Sequence, residues 1–250
     1  MPNKQLTPEQ EMARRTRRGF IGLGAGAVAA VAGWEWLNAG YVPEGKLPGP
    51  LRAVLGFNER VARSTLFSDS HLVKTYPASA IGKLKENGDE GMADDLDPAA
   101  WSLQVMPRGG GPILTLNIDD IRKLPRVEEI IDFKCVEGWS TVTQFAGARF
   151  SDFTAKFASG SEKAGYVAMA TPDGGYYVGL DTASALHPQT LLAWQMNGED
   201  LADEHGAPLR LVIPVKYGIK NIKRIGKIGY GETQPPDYWQ ERGYDFYAGL

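Results

Sequence analysis

Polar and apolar positions in the first forty residues are separated by block and not by face. Lys4, Arg14, Arg15, Arg17 and Arg18 lead into Gly19–Gly33, a run of small apolar residues without a charge or a polar stripe. A proline- and glycine-rich stretch follows over 40–50 and reads as a linker. Apolar positions at Leu51, Val54, Leu55, Val61, Ala62 and Leu66 predict a helix over 51–66. Residues 84–100 are acidic and turn-rich and predict a surface loop. From Trp101 the texture changes. Alternation over Trp101–Met106 predicts a strand, Arg108–Pro112 a turn and Ile113–Leu116 a second strand. Asn117 caps a short helix running to Leu124. Strands are predicted at Tyr166–Ala170 and Tyr176–Leu180 around the turn Pro172–Gly175. Two more follow, Leu191–Met196 before the turn Asn197–Gly198, and Leu209–Ile213, which Pro214 stops. No repeat is present. The pattern describes one strand-led, mixed α+β domain behind an N-terminal segment and an arm.

Composition narrows the chemistry. Of 250 residues, 43% are hydrophobic, enough to fill a core, and 30 glycines with 16 prolines favour short strands and turns over a helix bundle. The formal charge of −3 gives no reason to expect a nucleic-acid partner. Its distribution is uneven: residues 1–18 hold five basic against two acidic residues, net +3, while the remainder carries 22 against 28, net −6. One cysteine excludes an internal disulfide, a cysteine-only zinc site and a c-type haem attachment.

A basic head before a short apolar stretch is the pattern of an export signal, and Thr16-Arg17-Arg18-Gly19-Phe20-Ile21 resembles the twin-arginine type. The uncharged run is short of the roughly 20 apolar residues of a membrane span. Gly22, Gly24 and Gly26 lack both the spacing and the preceding strand of a dinucleotide loop. The expectation is an export signal over 1–40, an arm and linker over 41–100, and a catalytic domain over 101–250 that reaches the periplasm already folded. Ala30-Val31-Ala32 offers a cleavage site. Trp34-Glu35-Trp36-Leu37 offers the alternative, an uncleaved segment associated with the membrane interface. Export of a folded chain suits a protein that acquires a cofactor first.

Cys135 is the one residue with distinctive chemistry. Alone, a single cysteine is most often a small buried hydrophobe. A thiol protease is the first functional alternative, but none of His71, His187 and His205 stands in a recognisable protease context. The surroundings point elsewhere. Phe133-Lys-Cys-Val-Glu-Gly-Trp-Ser140, His205-Gly-Ala-Pro-Leu-Arg210, Leu211–Lys223 and Tyr244-Asp-Phe-Tyr-Ala248, in this order, resemble the sulfite oxidase superfamily of molybdopterin oxidoreductases. Within it the likeness is greatest to the catalytic subunits of periplasmic protein-methionine-sulfoxide reductases. It runs from about Trp101 to the end of the chain.

The resemblance implies an α+β, strand-rich molybdopterin-binding fold and a molybdenum-molybdopterin cofactor whose metal is held by Cys135. One soft thiolate is the protein's whole share of such a site, since the pterin dithiolene and oxygen ligands supply the rest. It further implies that Thr171 and His205 touch the pterin, that Arg210 meets its phosphate, and that Asn221, Ile222 and Lys223 contact the same group. Asn58, Val61 and Ala62, a looser match, would close the pterin from the arm. Lys216, Lys220, Lys223, Arg224 and Lys227 form a basic segment suited to phosphate, or else a solvated loop or a docking face for an acidic partner. His187 reads as a structural histidine.

Sulfite oxidases resemble one another in an arginine soon after the metal cysteine. Here Glu137 stands in that region, and an acid there repels a dianion. The expected substrate is a neutral S-oxide or N-oxide, small or protein-bound, with Trp139 as an apolar wall and Glu137 as a proton relay. Two departures leave the choice of oxide open: a short stretch between Lys156 and Tyr177, and no long tail after Ala248. With no haem motif, cysteine cluster or dinucleotide loop, the electrons must come from a partner, by the resemblance a haem-bearing membrane subunit or a cytochrome. The alternatives are sulfite oxidation, and a non-catalytic exported binding protein of the same fold.

Overall fold

The structure, a computed structural model, describes residues 7–38, 47–65, 67–92, 96–97 and 100–250. Expectations that fall on residues 1–6, 39–46, 66, 93–95 and 98–99, Lys4 and Leu66 among them, lie outside the described residues. The chain divides into two compact units, residues 1–55 and 56–250.

In the first unit, helix α1 (Pro8–Asn38) runs through the arginine pair and the glycine–alanine stretch. A capping box starts it: Thr7 N–H donates to Gln10 Oε1 at 3.1 Å, and Gln10 N–H to Thr7 Oγ1 at 3.3 Å. Phe20, Ile21, Leu23, Val28, Val31, Trp34 and Trp36 are all exposed, so α1 has no core of its own. Among the described residues no helix is long and apolar enough to cross a membrane. Helix α2 (Gly49–Thr65), expected from the apolar spacing, begins in this unit and continues into the second, and none of its residues is buried.

The second unit is α+β. Its strands are β1 (Leu103–Met106), β2 (Leu114–Leu116), β3 (Arg126–Lys134), β4 (Ser140–Arg149), β5 (Tyr166–Ala170), β6 (Tyr177–Asp181), β7 (Leu191–Met196), β8 (Glu199–Asp200), β9 (Arg210–Val212) and β10 (Lys227–Gly231). Between them stand the helices α3 (Ile118–Arg122), α4 (Phe150–Phe157), α5 (Thr182–Ala185) and, after β10, α6 (Tyr238–Glu241). One five-stranded sheet has the order β2-β1-β10-β5-β6, parallel only between β1 and β10. The other runs β3-β4-β7-β8, with β9 paired to β7. The expected Asn117 cap is a full capping box with Asp120.

A large apolar cluster joins Leu103, Val167, Leu180 and Ile228 of the first sheet to Phe150 and Phe153 of α4 and Leu192 and Leu211 of the second sheet. A smaller cluster of Ile131, Phe133, Phe145, Leu191 and Val212 lies on the second sheet, with Trp139 against it. The long β3–β4 hairpin and α4 were not legible from periodicity. β3 interleaves Arg126, Glu128, Glu129, Asp132 and Lys134 with apolar residues at irregular burial, so neither helical nor strand period stands out. Between Ala146 and Gly147 the β4–β7 register shifts. Gly147 is required there, because a Cβ would lie 2.0 Å from Leu192 O.

Candidate active site

The hairpin tip presents the cysteine. β3 and β4 pair down to Lys134 opposite Ser140, leaving Cys135–Trp139 as the turn. Cys135 N–H donates to Trp139 O at 2.9 Å and Gly138 N–H to Cys135 O at 3.1 Å, with Gly138 at φ +89°. Cys135 is buried and lines a cavity of about 380 Å³. Of the residues expected at the site, Glu137, His205, Arg210, Asn221 and Lys223 line the same cavity. Chain segments up to 88 residues apart, from Cys135 to Lys223, therefore converge on one thiol-bearing cleft.

Arg210 defines its electrostatics. It is 3% exposed, its guanidinium lies 5.5 and 5.2 Å from the Phe133 and Phe145 ring centroids, and Nη1 donates to His205 O at 3.0 Å. No carboxylate pairs with it among the described residues, and its buried Nε has no hydrogen-bond partner. Burial lowers its pKa to about 10, so it stays charged at neutral pH. Lys223 donates to Gly88 O at 3.1 Å, and burial, then the nearby Arg210, pull it down to about 8. His205 is pushed below the ordinary imidazole range by burial and by Arg210 and Lys223, and is neutral at pH 7. Two desolvated cations facing one cleft, one with an orphaned N–H, make a receptor for an anion such as a phosphate. With the thiol of Cys135 as a soft donor beside them, the residues fit a phosphorylated pterin that carries a metal.

The mouth has a different character. Glu137 is exposed, and Oε2 accepts the Trp139 indole N–H at 2.9 Å. That bond, with smaller contributions from Asn87 and Lys85, holds its carboxyl below the usual range. At neutral pH it is ionised, so it carries no proton of its own and can only pass on one it has first taken up. Lys85, exposed, lies 3.9 Å from this carboxylate and 5.7 Å from the Trp139 ring centroid.

Other expected residues are not brought to the cavity. Thr171 is buried just after β5, donating to Asp173 at 2.5 Å and accepting Tyr176 N–H at 3.1 Å, so it supports the cavity-lining Tyr176 from behind. Ile222 belongs to the large core, and its carbonyl accepts Leu211 N–H at 2.9 Å. On α2, Asn58 and Val61 are exposed, and Ala62 lines a separate cavity of about 100 Å³ with Tyr247. The segment that reaches Cys135 is Lys85–Glu90 instead. Asn87 Nδ2 donates toward Cys135 Sγ at 3.6 Å. Composition marks that stretch as exposed coil, and its side chains are exposed, so only tertiary placement reveals it.

The basic segment also splits. Lys223 lines the Cys135 cavity, whereas Lys216 pairs with Asp181 at 3.4 Å, Lys220 pairs with Asp237, Arg224 lies 3.6 Å from Asp203, and Lys227 is exposed on β10. Three of the five cations are thus buried beside a carboxylate. His187 is buried and its Nδ1 accepts Gln189 N–H at 3.3 Å. Trp239 and Tyr244 add aromatic lining; Tyr244 opens the terminal Tyr244–Ala248 segment of the resemblance, whereas Trp239 carried no signal in the sequence beyond its type.

Residues 90–239 match the family model of the oxidoreductase molybdopterin binding domain, and the chain belongs to this family as a molybdopterin-binding oxidoreductase of the sulfite oxidase type. Among its relatives, the protein-methionine-sulfoxide reductase catalytic subunit MsrP of Campylobacter jejuni is 30% identical over 263 aligned residues, covering 98% of this chain and 83% of the relative. A protein of Azospira oryzae, provisionally named as the protein-methionine-sulfoxide reductase subunit YedZ1, is 32% identical over 206 residues, 80% of this chain and 76% of its own. Of the solved structures, the sulfane dehydrogenase SoxCD from Paracoccus pantotrophus shares the fold at a TM-score of 0.50 and 19% identity. That match covers 56% of this chain and 40% of the SoxCD chain.

Proposed function

We propose that this chain is the catalytic component of an exported sulfoxide reductase, acting on methionine sulfoxide with electrons from a haem-bearing membrane subunit or a cytochrome. The observation that carries the reading is the ionised Glu137 beside Cys135 at the cavity mouth, which disfavours the sulfite dianion and tolerates a neutral oxide. The names of the two reductase relatives support the same substrate class.

Cys135 would hold molybdenum, while Arg210 and Lys223 would hold the pterin phosphate. When bound, the group supplies two-electron oxygen-atom transfer chemistry. The rest falls to the chain. Trp139 and Trp239 line the cavity with apolar surface and would limit water in it. Glu137 accepts a proton at Oε1 or Oε2 and can pass it on. Overall, one sulfoxide, two electrons and two protons yield one thioether and one water. The single cysteine leaves no haem motif or iron–sulfur cluster in the chain to carry the electrons, hence the partner. Arg17-Arg18 ahead of the uncharged run supports export of the folded protein to the periplasm.

The test is purification from a molybdopterin-competent host, metal analysis, and turnover with a reduced dye donor. One molybdenum per chain and reduction of a methionine-sulfoxide peptide, with no turnover on NADH or NADPH alone, is the expected result. Faster oxidation of sulfite than reduction of any sulfoxide overturns the substrate. A chain without molybdenum from that host is a binding protein.

A further inference from the structure

One wall of the Cys135 cavity is held by groups that never reach the cavity. Trp239 and Tyr244 line it from α6 and the turn that follows. The Trp239 indole N–H reaches the Tyr176 hydroxyl, which donates to Ile219 O at 2.6 Å. Tyr244 packs edge-on against Trp239 with centroids 5.1 Å apart, and its N–H donates to Trp239 O at 3.0 Å. α6 has four residues, far too few to be stable by itself, so something else must fix it.

Lys220 and Asp237 lie behind it. Lys220 is fully buried, and its ammonium meets the Asp237 carboxylate, Gly179 O at 3.1 Å and the face of Phe246 at 4.5 Å. Asp237 Oδ1 accepts Gln240 N–H at 2.9 Å and so caps α6, while Oδ2 accepts Gly179 N–H at 3.0 Å. Gly179 must be glycine here, because a Cβ would lie 2.5 Å from the Phe246 ring. One ion pair thus joins β6, the Lys220 segment, the start of α6 and the C-terminal Phe246. Neither partner lines the cavity. Buried pairs of this kind seldom add net stability over a neutral pair of the same shape, so their effect is sought in what they position.

We propose that the Lys220–Asp237 pair is a positioning device for substrate selection: it seats the Trp239–Tyr244 wall and thereby sets the size of the oxide admitted to the cavity. This rests on the sulfoxide reading of the same site and adds the residues that govern selectivity. Lys220 and Asp237 act through Trp239 and touch no substrate.

The test replaces the pair by the neutral pair Lys220→Gln with Asp237→Asn, in which asparagine keeps the helix cap. The selectivity readout is the ratio of KM values for a methionine-sulfoxide peptide and for dimethyl sulfoxide. That ratio is expected to shift by about fivefold or more, with kcat within about twofold and molybdenum content unchanged. Trp239→Ala should shift the ratio alike, and adding it to the neutral pair should bring little more, because the two act through one wall. Independently of turnover, hydrogen exchange should speed up over 237–245 and stay slow over 126–149. Unchanged exchange over 237–245, an unchanged KM ratio, or fully additive effects overturn the proposal. Should the neutral pair fail to fold, an unchanged ratio in Trp239→Ala alone overturns it. If the wild-type protein reduces no sulfoxide, the functional reading fails, and the exchange measurement still judges the pair.

Discussion

The Trp139 indole N–H donates to Glu137 Oε2 at 2.9 Å across the turn that begins with Cys135. This bond is the largest cause of the lowered Glu137 pKa, and it fixes a negative charge at the mouth of the cavity. Glu137→Gln keeps the acceptor oxygen and removes the charge. The KM for a neutral sulfoxide should change little, while inhibition by sulfite or sulfate should strengthen severalfold, most at low salt. Inhibition constants at two ionic strengths check this, and equal values in both proteins would refute the charge argument.

Arg210→Met tests the anion receptor. The guanidinium is buried between two phenyl rings without an acid partner, so an apolar side chain of similar length suits the unloaded pocket. Cofactor-free variant and wild type should unfold within about 1–2 kcal/mol of each other. Pterin retention should fall sharply, since a charge-assisted contact is worth roughly 1.5–3 kcal/mol. Pterin content measured by fluorescence after release decides the matter, and equal content in both proteins would assign Arg210 a purely structural place.

The strand-led α+β domain was legible because β1, β5 and β7 carry alternating or continuous apolar runs bounded by turns. Cys135, His205, Arg210 and Lys223 were found through spaced segments that resemble a family, and no periodicity would have found them. The β3–β4 hairpin was hidden by its charged, irregular pattern, although it is the element that places Cys135. Asn87 was hidden for the opposite reason. It stands in exposed coil, and its relation to Cys135 exists only across 48 residues of chain. The basic segment misled because sequence reports charge but not partners: Asp181 and Asp237 neutralise Lys216 and Lys220 from distant elements.

Lys223 predicts a pH dependence. Its folded pKa is about 8, against an unfolded lysine near 10.4. Between these values the unfolded chain binds more protons, so this group's contribution to stability increases as pH rises from about 8 and is smallest below it. His205, also lowered, acts with the same sign below the ordinary imidazole value. Anion binding has the reverse preference, because it needs the ammonium. A simple phosphate monoester, dianionic above its second pKa near 6, should bind the cofactor-free protein progressively more weakly from pH 7.5 to 9.5. Titration calorimetry measures this, with Lys223→Met as the control whose affinity should fall only near pH 9.5, where Arg210 begins to deprotonate. A wild-type affinity that stays flat over the interval would remove Lys223 from the anion site.

Cys135→Ser separates the thiol from the cleft around it. The turn that presents residue 135 is closed by backbone bonds to Trp139 O and from Gly138 N–H, which serine leaves intact. A hydroxyl is nearly the size of the thiol, and the Asn87 amide 3.6 Å from Sγ offers it a partner. The fold should therefore lose less than roughly 2 kcal/mol, as for a buried polar group with a hydrogen bond available. Arg210 and Lys223 are untouched, so much of the pterin should remain bound. What changes is donor softness, because a serine oxygen is a harder, weaker ligand than a thiolate for this class of metal. Dye-driven turnover should drop below detection, and the metal's absorption spectrum should change while the pterin stays. A serine variant that keeps full turnover with molybdenum in place would exclude Cys135 as the ligand, and the cleft would then need another donor within reach of Asn87.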